Sequence, residues 1–509
     1  MLIRRIVALN LLYLRSETDI ISDYDRKFLN VTSFGNLTEA IDSLSYQLSM
    51  VFRVENLTAN NIVRSSSGGA IRFANYGWKD PSVFVRNSTF SNCVSSSYGG
   101  SLYIESIKTE IYECYFNKSR ANSNGGAAYF SGTSTIVSNC VLTNCSSYVG
   151  GSFFSSSTDF TSFESIYINS SSSNIGGSLY LSGSNNDINR NSFYDSYSQN
   201  GGAIYCSGKI NVFLCDFYRC ISGTYGGVFY STTSNTVSFC NCLFYLCSSL
   251  SRGGCIYTTG TILSLEKICV NNCSSVGIGS FCYCTSSSST TFLFTDISVI
   301  KGFSVADSTL YLNQGLFYMT GMNLSDNYAS LYSFMYLVPY NTFDLKFSCV
   351  SNHISSYPIN IVNPSSPVSM MKSVNYINNT SNNAHIRFAN TYQTVIVDDS
   401  IFLQNNAVIF LGYCIVRNCL IQHASIVFSS GIFSTSNNII SFTEFPTHSL
   451  QFFSTYLCPT IDLINNLECP TYLPPPSPTQ CIAQTQEVQI LSNVIPIFLS
   501  SMWLYVLIL

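Results

Sequence analysis

GGAIYCSGKINVFLCDFYRCISGTY, running from Gly201 to Tyr225, is the stretch whose reading decides the fold. Its apolar runs are four to six residues long, separated by single Gly or Lys residues or by Ser-rich turns. Runs of that length suit strands and are too short for the helices of a helical-repeat protein. No amphipathic helical period crosses the repeats. Three short strands and three turns in 25 residues make one coil of a parallel β-helix, in which each strand pairs with its equivalent above and below.

Working outward, the Gly-Gly pair followed by a small residue recurs at Gly68-Gly69, Gly99-Gly100, Gly125-Gly126, Gly150-Gly151, Gly176-Gly177, Gly201-Gly202, Gly226-Gly227 and Gly253-Gly254. After a first step of 31 residues the intervals are 26, 25, 26, 25, 25 and 27. Between the pairs falls a second signature, an apolar or aromatic anchor with Asn, Cys or Ser three positions later. Its anchors are Leu57, Phe90, Phe116, Leu142, Tyr167, Phe193, Phe217, Phe244, Val270, Ile297, Leu324, Cys349, Tyr376 and Phe402. The matching polar column includes Asn60, Cys93, Cys145, Cys220, Cys247, Cys273, Asn327, Asn352, Asn379 and Asn405, with Ser119, Ser170 and Ser196 among them and Ile300 breaking it. A register kept for fourteen turns of about 26 residues predicts a right-handed, single-stranded parallel β-helix, a solenoid of the pectin-lyase kind. At about 4.8 Å per strand the rod would be on the order of 65 Å long.

Each motif has a physical reason. A sharp corner needs φ > 0, which Gly adopts without steric cost. The small residue after each pair (Ala70, Ser101, Ala127, Ser152, Ser178, Ala203) suits an inward position where the coil is narrow. The anchors stack into one apolar core, each large side chain contributing about 1.5–3 kcal/mol. The Asn, Cys and Ser column reads as a structural ladder in which stacked amides hydrogen-bond along the rod. That reading outweighs a ligand site, because function resides in local constellations and not in a fold.

The repeated GGAI, GGSLY and GGAIY, with an intervening F-x-x-N from Phe402 to Asn405 and F-x-x-C or F-x-x-S elsewhere, resembles the repeat of polymorphic outer-membrane proteins. The likeness covers roughly residues 57 to 405. In that family GGA[I/L/V] and FxxN motifs tile a right-handed β-helix displayed on a cell surface and used in adhesion; similar Gly-Gly-rich surface proteins occur in protists. The resemblance therefore implies a membrane-displayed scaffold with a host, other extracellular or glycan ligand. It does not extend to a C-terminal β-barrel translocator, so an autotransporter mechanism is not implied.

Composition narrows the function classes. The chain of 509 residues is 46% hydrophobic and 10% charged, which excludes the low-hydrophobicity, high-charge signature of disorder. A net charge of −4 without a basic stripe gives no electrostatic support for nucleic-acid binding. There are 21 cysteines, and Cys140/Cys145, Cys215/Cys220 and Cys242/Cys247 are each five apart. Both small apolar filler and inter-coil disulfides fit those positions, filler being favoured. Cys458, Cys469 and Cys481 lie outside the repeats, where a disulfide fits better. No paired C-x₂-C units suggest zinc, and no cofactor is expected.

The rival class is a carbohydrate-active β-helix enzyme like pectate lyases or polygalacturonases, which needs clustered carboxylates near Arg, Lys or His. The adjacent acids of the coils are Asp398-Asp399, which with Arg387 or Arg417 are weak catalytic candidates; an exposed turn is the favoured reading of them. His353, His385, His423 and His448 are isolated in sequence. A non-catalytic scaffold is the better expectation.

The ends set the topology. Residues 1–50 read as a leader, with Arg4 and Arg5 before an apolar run, and an N-terminal cap; residues 51–425 are the β-helix; residues 426–470 finish or cap it. Residues 471–489 are a proline-rich stalk. Residues 490–509, ILSNVIPIFLSSMWLYVLIL, lack charge over a length matching one hydrocarbon core and are expected to be a transmembrane segment, a processed lipid anchor being the alternative. Sequons begin at Asn30, Asn36, Asn56, Asn87, Asn117, Asn144, Asn169, Asn272, Asn323, Asn378 and Asn379, a number that composition alone explains.

Overall fold

The computed structural model describes residues 50–422, apart from 75–79, 234–235, 261, 287–289, 341–342, 363–368 and 390–394, together with short segments between 27 and 42 and between 428 and 459. The proline-rich stretch and residues 490–509 lie outside the described residues, and so does the leader up to residue 26. Among the described residues every regular element is a strand, and no helix is long and apolar enough to cross a membrane. The chain is a parallel β-solenoid. Lys209–Phe213, for example, pairs with Asn185–Asn189 below and with the strand beginning at Val237 above.

A full turn holds four strand segments, not the three expected from the apolar runs. Within Gly201 to Tyr225 they are Ile204–Cys206, Lys209–Phe213, Asp216–Tyr218 and Ile221–Tyr225. The first three segments of successive turns merge into one 42-stranded sheet. The merging arises because strands such as Leu102–Tyr112 and Val237–Tyr245 run through a bend without breaking. The fourth segments form a separate 13-stranded sheet, so twelve steps separate its first and last members. At about 4.8 Å a step this face is roughly 60 Å long.

The pairing takes in segments on either side of residues 51–425. Lys27–Thr32 pairs in parallel with Met50–Glu55, and Phe433–Ser436 with Cys414–Arg417. Segment 27–32 thus stacks as a rung within the leader-and-cap region, and the strands after residue 425 continue the stack.

The anchor column is continuous from Phe90 through Phe116, Leu142, Tyr167, Phe193, Phe217 and Phe244 to Val270, each paired with the next. All are fully buried. Three sequence assignments are displaced. Ala59, not Leu57, lies under Phe90; Val299, not Ile297, follows Val270; and Val350, not Cys349, follows Leu324. The ladder moves with them. Ile62 and His353 are the buried residues three positions after Ala59 and Val350, and Gly302 follows Val299 in place of Ile300. Asn60 is exposed, and Asn352 holds a left-handed corner with φ 55°.

Two kinds of corner turn the chain. The first glycine of each pair has φ between 62° and 73°, as at Gly226 and Gly68. The second needs to be glycine for a different reason. A Cβ on Gly202 would stand 2.0 Å from the carbonyl oxygen of Gly227, and one on Gly227 would stand 2.0 Å from that of Gly254. The other two corners flank the third strand of each turn and use left-handed residues that are mostly not glycine. Asn139 and Asn144 (φ 53° and 55°), Arg190 and Asp195 (both 53°), and Leu214 and Arg219 (53° and 51°) bracket three of the rungs in this way. Asn and Asp tolerate this region through local hydrogen bonding, whereas Leu and Arg are held there by the stack above and below.

Candidate functional site

The polar column does specific work in the fold. Asn379 accepts from the His353 backbone N–H at 3.0 Å and donates to the Val350 carbonyl at 3.0 Å. Asn405 does the same one rung on, accepting from Asn379 N–H and donating to Tyr376 O, both at 3.0 Å. Asn327 serves Gly302 and Val299 alike. Each amide thus satisfies the anchor carbonyl of the preceding rung. In the thiol rungs Cys93, Cys145, Cys220 and Cys247 point Sγ at the carbonyls of Ala59, Phe116, Phe193 and Phe217, at 3.5 to 3.9 Å. Cys in the earlier rungs and Asn in the later ones can fill the same column because both put a donor at that carbonyl, the thiol more weakly. Replacing Asn379 by leucine is expected to cost about 3 kcal/mol, since two buried backbone groups lose their partner. Asn379→Ser should cost less in the same urea titration; equal costs would show that volume and not pairing sets the position.

A second ladder stands five residues earlier and was not separated from the first in the sequence. Cys114, Cys140, Cys215 and Cys242 direct Sγ to the carbonyls of Val85, Ile111, Ile188 and Val212. Asn191 occupies the same column, donating to Ser162 O and accepting from Ser165 N–H. Across the interior, the small residue after a Gly-Gly pair meets the ladder residue eighteen positions on: Ser101 with Ser119 at 2.7 Å, Ser152 with Ser170 at 2.7 Å, Ser178 with Ser196 at 2.8 Å. The ladder thiols are free, and burial pushes Cys145 and Cys215 up to about 12, which keeps them protonated and inert. Cys349, beside the anchor Val350, is disulfide-bonded.

The weak catalytic candidates are not brought together as an acid pair. Asp398 is buried, not part of an exposed turn, and is held by Arg417 Nη2 and Asn418 Nδ2, each at 2.9 Å. Asp399 sits at a left-handed corner beside Lys372 at 3.5 Å. Arg387 lies elsewhere, over the Tyr357 ring. His353 is a ladder residue whose Nε2 faces the Leu324 carbonyl at 3.2 Å, and burial lowers it to about 4. His385 is buried between the Tyr376 hydroxyl and the Ala407 N–H. Burial raises Asp216 and Asp307 to about 6, but no group of three His, Cys, Asp or Glu residues among those described could hold a metal. The sequons divide by position: Asn144, Asn169 and Asn378 are exposed left-handed corners, while Asn323 and Asn379 are buried.

The feature that sequence reasoning missed lies on the outside of the first strand of each turn. Tyr103, Tyr129, Phe154, Tyr180, Tyr205, Tyr230, Tyr257, Tyr283, Tyr311 and Tyr336 stand one above another, with ring centroids 4.6 to 5.8 Å apart. The signal was present, because the third residue after the second glycine is aromatic in seven successive pairs from Gly100 to Gly254. Arg72 precedes the stripe, and Asn360 and Arg387 continue it. Apart from Tyr283 the rings are half-buried. Most neighbours are nearly parallel, as Phe154 and Tyr180 are at 5°. Burial pushes the phenols of Tyr205 and Tyr311 up to about 12, so they remain neutral donors. Beside the rings runs a hydroxyl column, Ser131, Ser156, Ser182, Ser207, Thr232, Thr259 and Thr285. No other described residues form so long an outward array of one chemistry.

A parallel β-solenoid with an outward aromatic stripe is the class that fold and surface define. No protein-family model, curated protein or solved structure matches the chain.

Proposed function

We propose that this chain is a non-catalytic, cell-surface β-solenoid that binds partners along its side, an adhesin-like scaffold held at a membrane by its C-terminal segment. The observation that carries the reading is the ten-ring stripe, a binding-type surface repeated at the pitch of the rod. Tyrosine supplies large, rigid, amphipathic contact area at low entropic cost, which is why it is enriched where proteins meet partners. The resemblance to polymorphic outer-membrane protein repeats supports display and adhesion, and right-handedness follows the general rule for parallel crossovers. The uncharged run 490–509 supplies the membrane segment of the proposal.

The test is protease treatment of intact expressing cells carrying an epitope tag at Ser184, combined with attachment of those cells to coated surfaces. Cleavage of the tag on sealed cells, with attachment lost together with it, is the expected result. A tag reached by protease after lysis alone places the rod inside and ends the adhesin reading.

A further inference from the structure

Resting on that reading, we infer that the middle of the stripe binds a neutral, extended polysaccharide lying along the rod, about one hexose unit to each rung. The argument starts from what the rings have left to offer. They are stacked on one another, as Tyr180 is on Phe154 at 4.6 Å and on Tyr205 at 4.7 Å, so their faces are already used. What they present outward is ring edge and phenol hydroxyl. The positive edge of an aromatic quadrupole suits oxygen atoms and not a second apolar surface. The neighbouring Ser and Thr hydroxyls both donate and accept. A partner complementary to this surface is rich in hydroxyls, carries C–H groups between them and repeats at the same pitch. A β-linked hexose chain has these properties, with an advance per unit close to one rung.

Charge selects among such chains. Glu105 closes one end of the stripe, where it accepts from the Tyr103 hydroxyl. Arg252 stands towards the other, 5.1 Å from the Tyr283 ring centroid, with Asp307 beyond it. Between them, the five rungs from Tyr129 to Tyr230 carry no charged residue in the ring column or in the Ser131–Thr232 hydroxyl column. The column on the other flank, Asn124, Val149, Ile175, Asn200 and Tyr225, is also uncharged. Within these three columns a polyanion such as a polyuronate would find no cation to repay its desolvation, the nearest being Lys209, two residues past Ser207, and Arg252 at the end of the segment, 6.0 Å from the Tyr225 ring centroid. A neutral chain loses nothing there.

Calorimetry on the full-length chain with cellohexaose and mannohexaose as probes, and oligogalacturonate as the anionic comparison, tests the assignment. At least one neutral hexamer is expected to bind, unaffected by added salt, and to be recovered uncleaved. Tyr180→Ala with Tyr205→Ala should weaken it about tenfold or more. Tyr180→Phe with Tyr205→Phe keeps the stack and should weaken binding less, which separates a lost surface from a damaged rod. Tyr318→Ala, on another face, should leave binding unchanged. Absence of binding by both neutral hexamers, equal binding by the double alanine variant, or salt-sensitive preference for oligogalacturonate would each overturn the proposal. If cells still attach through the stripe while neither hexamer binds, the adhesin reading stands and the glycan assignment falls.

Discussion

Gly202→Ala is expected to destabilise the solenoid by about 3 kcal/mol or more, a large loss for a single methyl group. The added carbon would meet the Gly227 carbonyl oxygen at 2.0 Å and the Ile221 carbonyl oxygen at 2.7 Å, both backbone atoms of the next rung. Neither can yield without moving a strand that is itself paired on both sides. Gly223→Ala is the control: its new carbon would meet the Gln199 amide, the end of a flexible side chain, at 2.4 Å. That change should fall within about 0.5 kcal/mol of neutral. Urea unfolding gives the difference, and hydrogen exchange should localise the damage to rungs near residues 202 and 227, because stability in a solenoid is shared between neighbours. Equal effects at the two glycines would refute the close-approach explanation.

The second large effect is expected inside the core. Phe193 is fully buried, stacked on Tyr167 at 4.7 Å and on Phe217 at 5.0 Å. Phe193→Ala removes a ring with neighbours above and below and leaves a cavity the rod cannot close without shortening its pitch. A loss of about 3–5 kcal/mol is expected. Tyr205→Ala, one ring of the outer stripe with a similar pair of neighbours, should cost much less because its ring is half-buried and no enclosed void results. Comparable losses at the two positions would mean that the outer stripe is structural in the same sense as the core, and would weaken the case that it is kept free for a partner.

The period was legible because its markers are chemically extreme. Glycine pairs and buried aromatics cannot be exchanged for other residues at a close approach or in a packed stack, so they persist from rung to rung. The fourth strand was hidden for the opposite reason. Its inward residues are serines, such as Ser172, Ser198, Ser222 and Ser249, so no apolar alternation marks it. The left-handed corners were hidden where they are filled by Glu113, Lys118, Arg190 or Leu214, whose types carry no signal for positive φ. The displaced anchors came from steps that depart from about 26 residues. The interval from Val270 to Val299 is 29 residues, and the 31-residue step from Gly68 to Gly99 already implied Ala59 rather than Leu57 beneath Phe90. The aromatic stripe is legible in the spacing of the glycine pairs, but its tyrosines alternate with the inward residues and so carry no core signal.

The direction of the interstrand hydrogen bonds has a mechanical consequence. In this rod they run along the long axis, from each rung to the next, and not across it. A pull between its two ends therefore loads them end-on and opens them a rung at a time, as a zip opens, rather than shearing a whole sheet at once. Each rung that lets go would release about 26 residues of slack, roughly 90 Å when drawn out. A tethered rod of this kind would lengthen in small increments at modest, nearly constant force, and would spare its far end from a sudden load.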